Sequence, residues 1–156
     1  MSLDIDQIHE EVINEINNNN FLIFSPPAGI GKKILIKRYL SSITGSVIIG
    51  SDRMVSIAEW KNIIETKNNL KIGLLYKLPD VIECDIFIAD IYSICSHSLR
   101  NKRITCNKII IFIPTFSKNF NKISPNIFPK DIRKILVDVF GEDIIEGNSG
   151  LYEIIK

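Results

Sequence analysis

The run Phe21-Leu-Ile-Phe-Ser-Pro-Pro-Ala-Gly-Ile-Gly-Lys-Lys33 gathers the residues best suited to chemistry. Four apolar residues suit a buried strand. A Pro/Gly turn follows, and Gly31-Lys32 then opens a helix-like stretch. Exposed backbone N–H groups at such a turn, with a helix N-terminus behind them, can surround an anion, while a lysine adds a point charge. The pattern that does this for nucleotides is G-x-x-x-x-G-K-[ST]. Here Pro26 stands where its first Gly belongs, and Lys33 replaces the Ser or Thr. The expected phosphate contacts are Pro27, Ala28, Gly29, Ile30, Gly31, Lys32 and Lys33. Lys33 cannot copy the hydroxyl that would hold magnesium, because an ammonium repels a cation. A nucleotide such as ATP is the expected ligand, and magnesium is in doubt.

A second candidate is Asp90. Ile86-Phe-Ile-Ala-Asp90 has the shape of a strand ending on a metal-holding aspartate, although Asp90 equally suits a strand-end cap. A catalytic glutamate would follow it, but Ile91 does. Asp52 and Arg53 end another expected strand, where they either face a ligand at the sheet's carboxyl edge or begin a helix. Trp60 reads as a base-stacking platform or as core. Phe120 and Phe128 lie among lysines, which suits single-stranded nucleic acid or an ordinary anchored loop. Cys95 with His97 lacks a third orienting group, so no nucleophile pair is expected.

The elements that must position these groups alternate. Residues 4–17 place Ile5, Ile8, Val12, Ile13 and Ile16 at helical spacing, with Asp4 and Gln7 as a capping box. After the strand at 21–24, a helix is expected over 32–42, ended by Gly45. Further strands are expected at 47–49, 70–75, 85–89, 108–113 and 151–155. A helix carrying Val55, Ala58, Glu59, Ile63 and Ile64 lies between the first two of these, and another over 131–140 is closed by Gly141. The strands read as continuous apolar runs, as in a parallel sheet covered on both faces. The expected fold is therefore a three-layer α/β/α sandwich with a mainly parallel sheet.

With 156 residues, 46% hydrophobic and 24% charged, the chain fits a single globular domain over 1–156. Within it, residues 1–20 form an N-terminal helix region and 117–130 an irregular basic loop. The net charge of +1 gives no bulk attraction to nucleic acid or membrane, though the 102–134 stretch is lysine-rich. No apolar run reaches the roughly 20 residues of a membrane span. Three scattered cysteines and two histidines suggest free thiols in a reducing cytoplasm and no metal cluster.

In order, these segments resemble the first RecA-like domain of superfamily 2 helicases, nearest the XPD/DinG repair-helicase branch. The likeness covers about the first 115 residues. Gln7 sits where that superfamily often carries a glutamine, and 26–33 resembles A-P-T-G-x-G-K-T. Residues 51–60 resemble the segment that touches the DNA backbone, and 71–75 the strand that follows it. Residues 85–94 resemble A-D-I-I-V-x-x-Y-x-x-L, and 108–112 the strand leading into D-E-A-H. Ile113-Pro-Thr-Phe116 replaces D-E-A-H itself, and the four-cysteine insertion is absent. The resemblance implies a RecA-like fold, a nucleotide site including Gln7, and DNA, single-stranded or duplex, as partner. It leaves room for a second RecA-like domain on another subunit, and the replacement of D-E-A-H leaves no catalytic residue of this chain's own. The expected function is a hydrolytically degenerate domain that binds nucleic acid or a partner. The alternatives are a small AAA+/RecA-type ATPase using Lys32 and Asp90, or a purely structural subunit.

Overall fold

The computed structural model describes residues 4–25, 31–64, 69–112, 127–147 and 151–153. Among them, six strands form one sheet: β1 (Phe21–Ser25), β2 (Val47–Ser51), β3 (Leu70–Leu74), β5 (Ile86–Asp90), β7 (Lys108–Phe112) and β8 (Leu151–Glu153). Their order is β3-β2-β5-β7-β1-β8, and every neighbouring pair is parallel. Two short strands, β4 (Val81–Glu83) and β6 (Arg103–Thr105), pair separately, also in parallel. The helices are α1 (Ile5–Asn18), α2 (Lys32–Leu40), α3 (Met54–Ile63), α4 (Ile91–Cys95), α5 (Ile127–Phe140) and α6 (Glu142–Gly147).

Side chains along a strand alternate between faces, and both faces of this sheet are apolar. Leu22, Val47, Ile49, Ile86, Ile88, Ile110 and Phe112 join one core with α1, α2 and α3. Phe21, Ile23, Ile48, Phe87, Ala89, Ile109 and Ile111 join the other with α4, α5, α6 and the small sheet. This is the three-layer α/β/α arrangement expected from the continuous apolar runs. Burial of both strand faces is why those runs showed no polar alternation.

Local chemistry explains most boundaries. Asp4 caps α1 by accepting the Gln7 N–H at 3.2 Å. Ile8, Val12 and Ile16 are buried, while Ile5 remains exposed at the helix start. Gly141, in the left-handed region at φ 94°, closes α5 and donates its N–H to the Val137 carbonyl. Other boundaries differ from expectation. α2 ends at Leu40, where the Ser41 hydroxyl donates to the Arg38 carbonyl at 2.7 Å, before Gly45 is reached. Gly45 answers a different need. A Cβ there would lie 2.3 Å from Asp85 Oδ2, the oxygen that accepts the Ser46 N–H.

α3 buries Ile57 and Trp60, not Val55 or Ala58, which face solvent. The rotation follows from Trp60, whose large ring contributes most when placed under the sheet. α5 begins at Ile127, so Pro129 falls in its first turn, where a missing N–H is tolerated. The irregular stretch expected over 117–130 thus ends earlier than 130; its portion up to 126 lies outside the described residues, as do 113–116.

Candidate functional site

Ligands of parallel α/β sheets bind outside the carboxyl ends of strands, where adjacent strands send their connections to opposite faces. Two such places hold residues singled out from the sequence. After β1 the chain passes to α2 on one face, whereas after neighbouring β7 it passes to α5 on the other. Likewise β2 leads to α3 on the first face, and its neighbour β5 leads to α4 on the second.

Lys32 occupies the first place. Gly31, at φ 68° and ψ 66°, is the residue before α2, and its carbonyl accepts the Leu35 N–H at 2.9 Å. Left-handed backbone here suits glycine because it has no Cβ to clash. Gly31 has no side chain to cap α2, so among the described residues its first-turn N–H groups receive no side-chain cap at that position. The Lys32 ammonium turns over the sheet rim, 5.3 Å from the centre of the Phe112 ring at the end of β7. Its pKa falls below the ordinary lysine value, first through burial and then through repulsion by Lys33; attraction from Asp90 and Glu59 opposes the fall.

Lys33 faces elsewhere. Its ammonium pairs with Glu59 Oε2 at 3.0 Å and lies 5.4 Å from the Trp60 ring centre. Those contacts tie α2 to α3. Trp60 is only 2% exposed and packs against Phe112 at 5.8 Å, so it belongs to the core and presents no stacking face.

Asp90 and Asp52 meet at the second place. Asp90 Oδ1 accepts the Ser93 N–H at 2.8 Å, capping α4, and its Oδ2 lies 3.0 Å from Ser93 Oγ. Asp52 Oδ1 lies 3.1 Å from the same hydroxyl, which also accepts the Asp52 N–H at 3.1 Å. Ser51 Oγ is 3.4 Å away and accepts the Arg53 N–H at 3.3 Å. Ser93 is fully buried. A hydroxyl carries one proton, so Ser93 donates fully to one of the two carboxylates at a time. Asp90 is therefore a helix cap whose charge also reaches Lys32. Asp52 and Asp90 thus meet through one hydroxyl, and among the described residues no group of three potential metal ligands forms.

The remaining expected residues separate from this rim. Gln7 is exposed on α1, and its neighbour Asp6 pairs with Arg38 Nη1 at 2.8 Å, in the last turn of α2, whereas Lys32 is in the first. Pro27, Ala28, Gly29 and Ile30 lie outside the described residues. Within the lysine-rich stretch, Lys102 is buried, donating to the Leu78 carbonyl at 2.7 Å and lying 3.6 Å from Asp80. Arg103 donates to the Asp138 carbonyl. Both serve the fold. Sequence reasoning missed Ser93; its signal was the Asp90-x-x-Ser93 spacing of a helix cap.

No helix among the described residues is long and apolar enough to cross a membrane. No protein-family model and no curated protein matches this chain.

Proposed function

We propose that this chain is a nucleotide-binding domain of the P-loop type, similar to the first RecA-like domain of superfamily 2 helicases. It holds a nucleoside triphosphate without efficient hydrolysis and serves as a nucleic-acid- or partner-binding subunit in the cytoplasm. The observation that carries this reading is Lys32. Its ammonium is drawn back over the carboxyl rim at the start of a helix opened by left-handed Gly31, at an electrostatic cost in burial. A solvated surface lysine would carry no such cost, and perturbed groups of this kind concentrate at functional sites. The phosphates would contact Lys32 and the N–H groups of residues 28–33.

Hydrolysis needs an oriented water and charge neutralisation, usually by a metal. The supporting chemistry is thin. Lys33 is engaged with Glu59, both oxygens of Asp90 contact Ser93, and Ile91, where a base would stand, is a buried aliphatic. Asp90 supports one second reading, a small ATPase, because it lies within electrostatic range of Lys32. Steady phosphate release by the purified chain, lost in Asp90→Ala, would establish that second reading over the first. Binding to single-stranded DNA that weakens with salt would support the nucleic-acid role, since counterion release makes such binding salt-dependent. A second subunit supplying another RecA-like domain would be detected by co-purification at the same rim.

A further inference from the structure

β4 and β6 run parallel in the register Val81↔Arg103, Ile82↔Ile104 and Glu83↔Thr105. The next residues are Cys84 and Cys106, and the ladder continues to them: the Cys84 N–H donates to the Thr105 carbonyl at 2.9 Å. Neighbouring strands lie about 4.8 Å apart, within the Cα separation a disulfide accepts. Paired positions on adjacent strands share a face, and both side chains belong to the same apolar cluster. Both thiols are free. Each cysteine then leads through one tight bend into a main-sheet strand, Cys84 into β5 and Cys106 into β7.

We propose that Cys84 and Cys106 form an oxidisable dithiol, a modification site that a peroxide converts to an intrachain disulfide joining β4 to β6. One thiolate of the pair attacks a peroxide oxygen, the O–O bond breaks, and the leaving hydroxide takes up the thiol's proton as water, giving a sulfenic acid. The other sulfur then attacks that sulfur, the S–O bond breaks, and the second water carries away the remaining proton. Two thiols lose two electrons in all, and the peroxide gains them.

Contact between the two thiols lowers the Cys84 pKa and, together with burial, raises that of Cys106. The thiolate is the nucleophile, so one sulfur of the pair is oxidised first and its neighbour resolves the sulfenic acid.

The test uses the full chain carrying Cys95→Ser, treated with hydrogen peroxide, alkylated and mapped by mass spectrometry. The expected result is a linked peptide pair containing Cys84 and Cys106, a loss of both alkylatable thiols, and their return with a dithiol reductant. In Cys106→Ser, Cys84 should instead be trapped by a sulfenic-acid reagent. The proposal is overturned if both thiols remain alkylatable under conditions that oxidise a free cysteine. It is equally overturned if Cys84 proceeds to sulfinic acid in the presence of Cys106, or if the linkage is between chains. The Cys84→Ser variant, should it fail to fold, is not needed, because the parent and Cys106→Ser decide the matter.

Discussion

Lys33→Thr places the hydroxyl of an intact phosphate-binding loop into this chain and removes a contact that the chain uses instead. The Lys33 ammonium is 3.0 Å from Glu59, but the Glu59 side chain is 54% exposed. A pair so open to water stabilises by roughly 0.5 kcal/mol. The ammonium also sits 5.4 Å from the buried Trp60 ring, a contact of about 0.5–1 kcal/mol. Exchanging lysine for a β-branched residue in a helix adds up to about 0.5 kcal/mol. The summed loss is about 1–2 kcal/mol, or roughly 3–6 °C in melting temperature for a chain of this size. Urea melts of the wild type, Lys33→Thr, Glu59→Gln and the double variant give the coupling directly. The same variant relieves repulsion on Lys32 and offers magnesium an oxygen, so its nucleotide affinity should become magnesium-dependent where that of the wild type is not. If Lys33→Thr melts like the wild type and its coupling to Glu59 is zero, Lys33 does not join α2 to α3 as argued.

Three further outcomes are expected. Gly45→Ala should destabilise by about 1–3 kcal/mol, because its methyl would displace an Asp85 carboxylate that holds Ser46 and Asn107; chemical denaturation measures it. Ser93→Ala should cost about 1–3 kcal/mol by removing the hydroxyl that Asp52 and Asp90 share, and a loss below the error of a urea melt would contradict that bridging role. Lys32→Met should be more stable than the unliganded wild type at neutral pH. Burial lowers the Lys32 pKa, so the wild type carries its penalty while folded Lys32 is protonated. That penalty disappears as pH rises through the folded pKa towards 10.5. The stability gap between the two proteins should close over that window, and a gap independent of pH would contradict a buried cationic Lys32.

Much of the architecture was readable because it rests on patterns with one physical meaning. Ile86-Phe-Ile-Ala and Ile109-Ile-Ile-Phe are apolar at every position, short and rich in β-branched and aromatic residues, which is how a strand buried on both faces reads. Asp4 with Gln7, and Gly141, marked helix ends by hydrogen bonding and by backbone freedom. The orientation of α3 was not readable, because Val55, Ala58, Ile63 and Ile64 offered one apolar stripe and Ile57, Trp60 and Ile64 another. Tertiary volume decided for the tryptophan. The short elements β4, β6 and α4 escaped notice because three to five residues carry no period. At the rim, the start of α2 at Lys32 was legible from Gly31 before it. The Asp52–Ser93–Asp90 cluster was not, because its members meet only when β2 and β5 lie side by side. Gln7 was placed by resemblance alone, and its neighbour Asp6 pairs with the opposite end of α2.

Calorimetric titration of ATP into the wild type and into Lys32→Ala, each with and without magnesium, bears most directly on the phosphate cup. The expected result is saturable binding by the wild type and a loss of about 10- to 100-fold in Lys32→Ala, the value of a charge-assisted contact of roughly 1.5–3 kcal/mol. Equal affinity in the two proteins, or no binding of any nucleotide by the folded wild type, would contradict it.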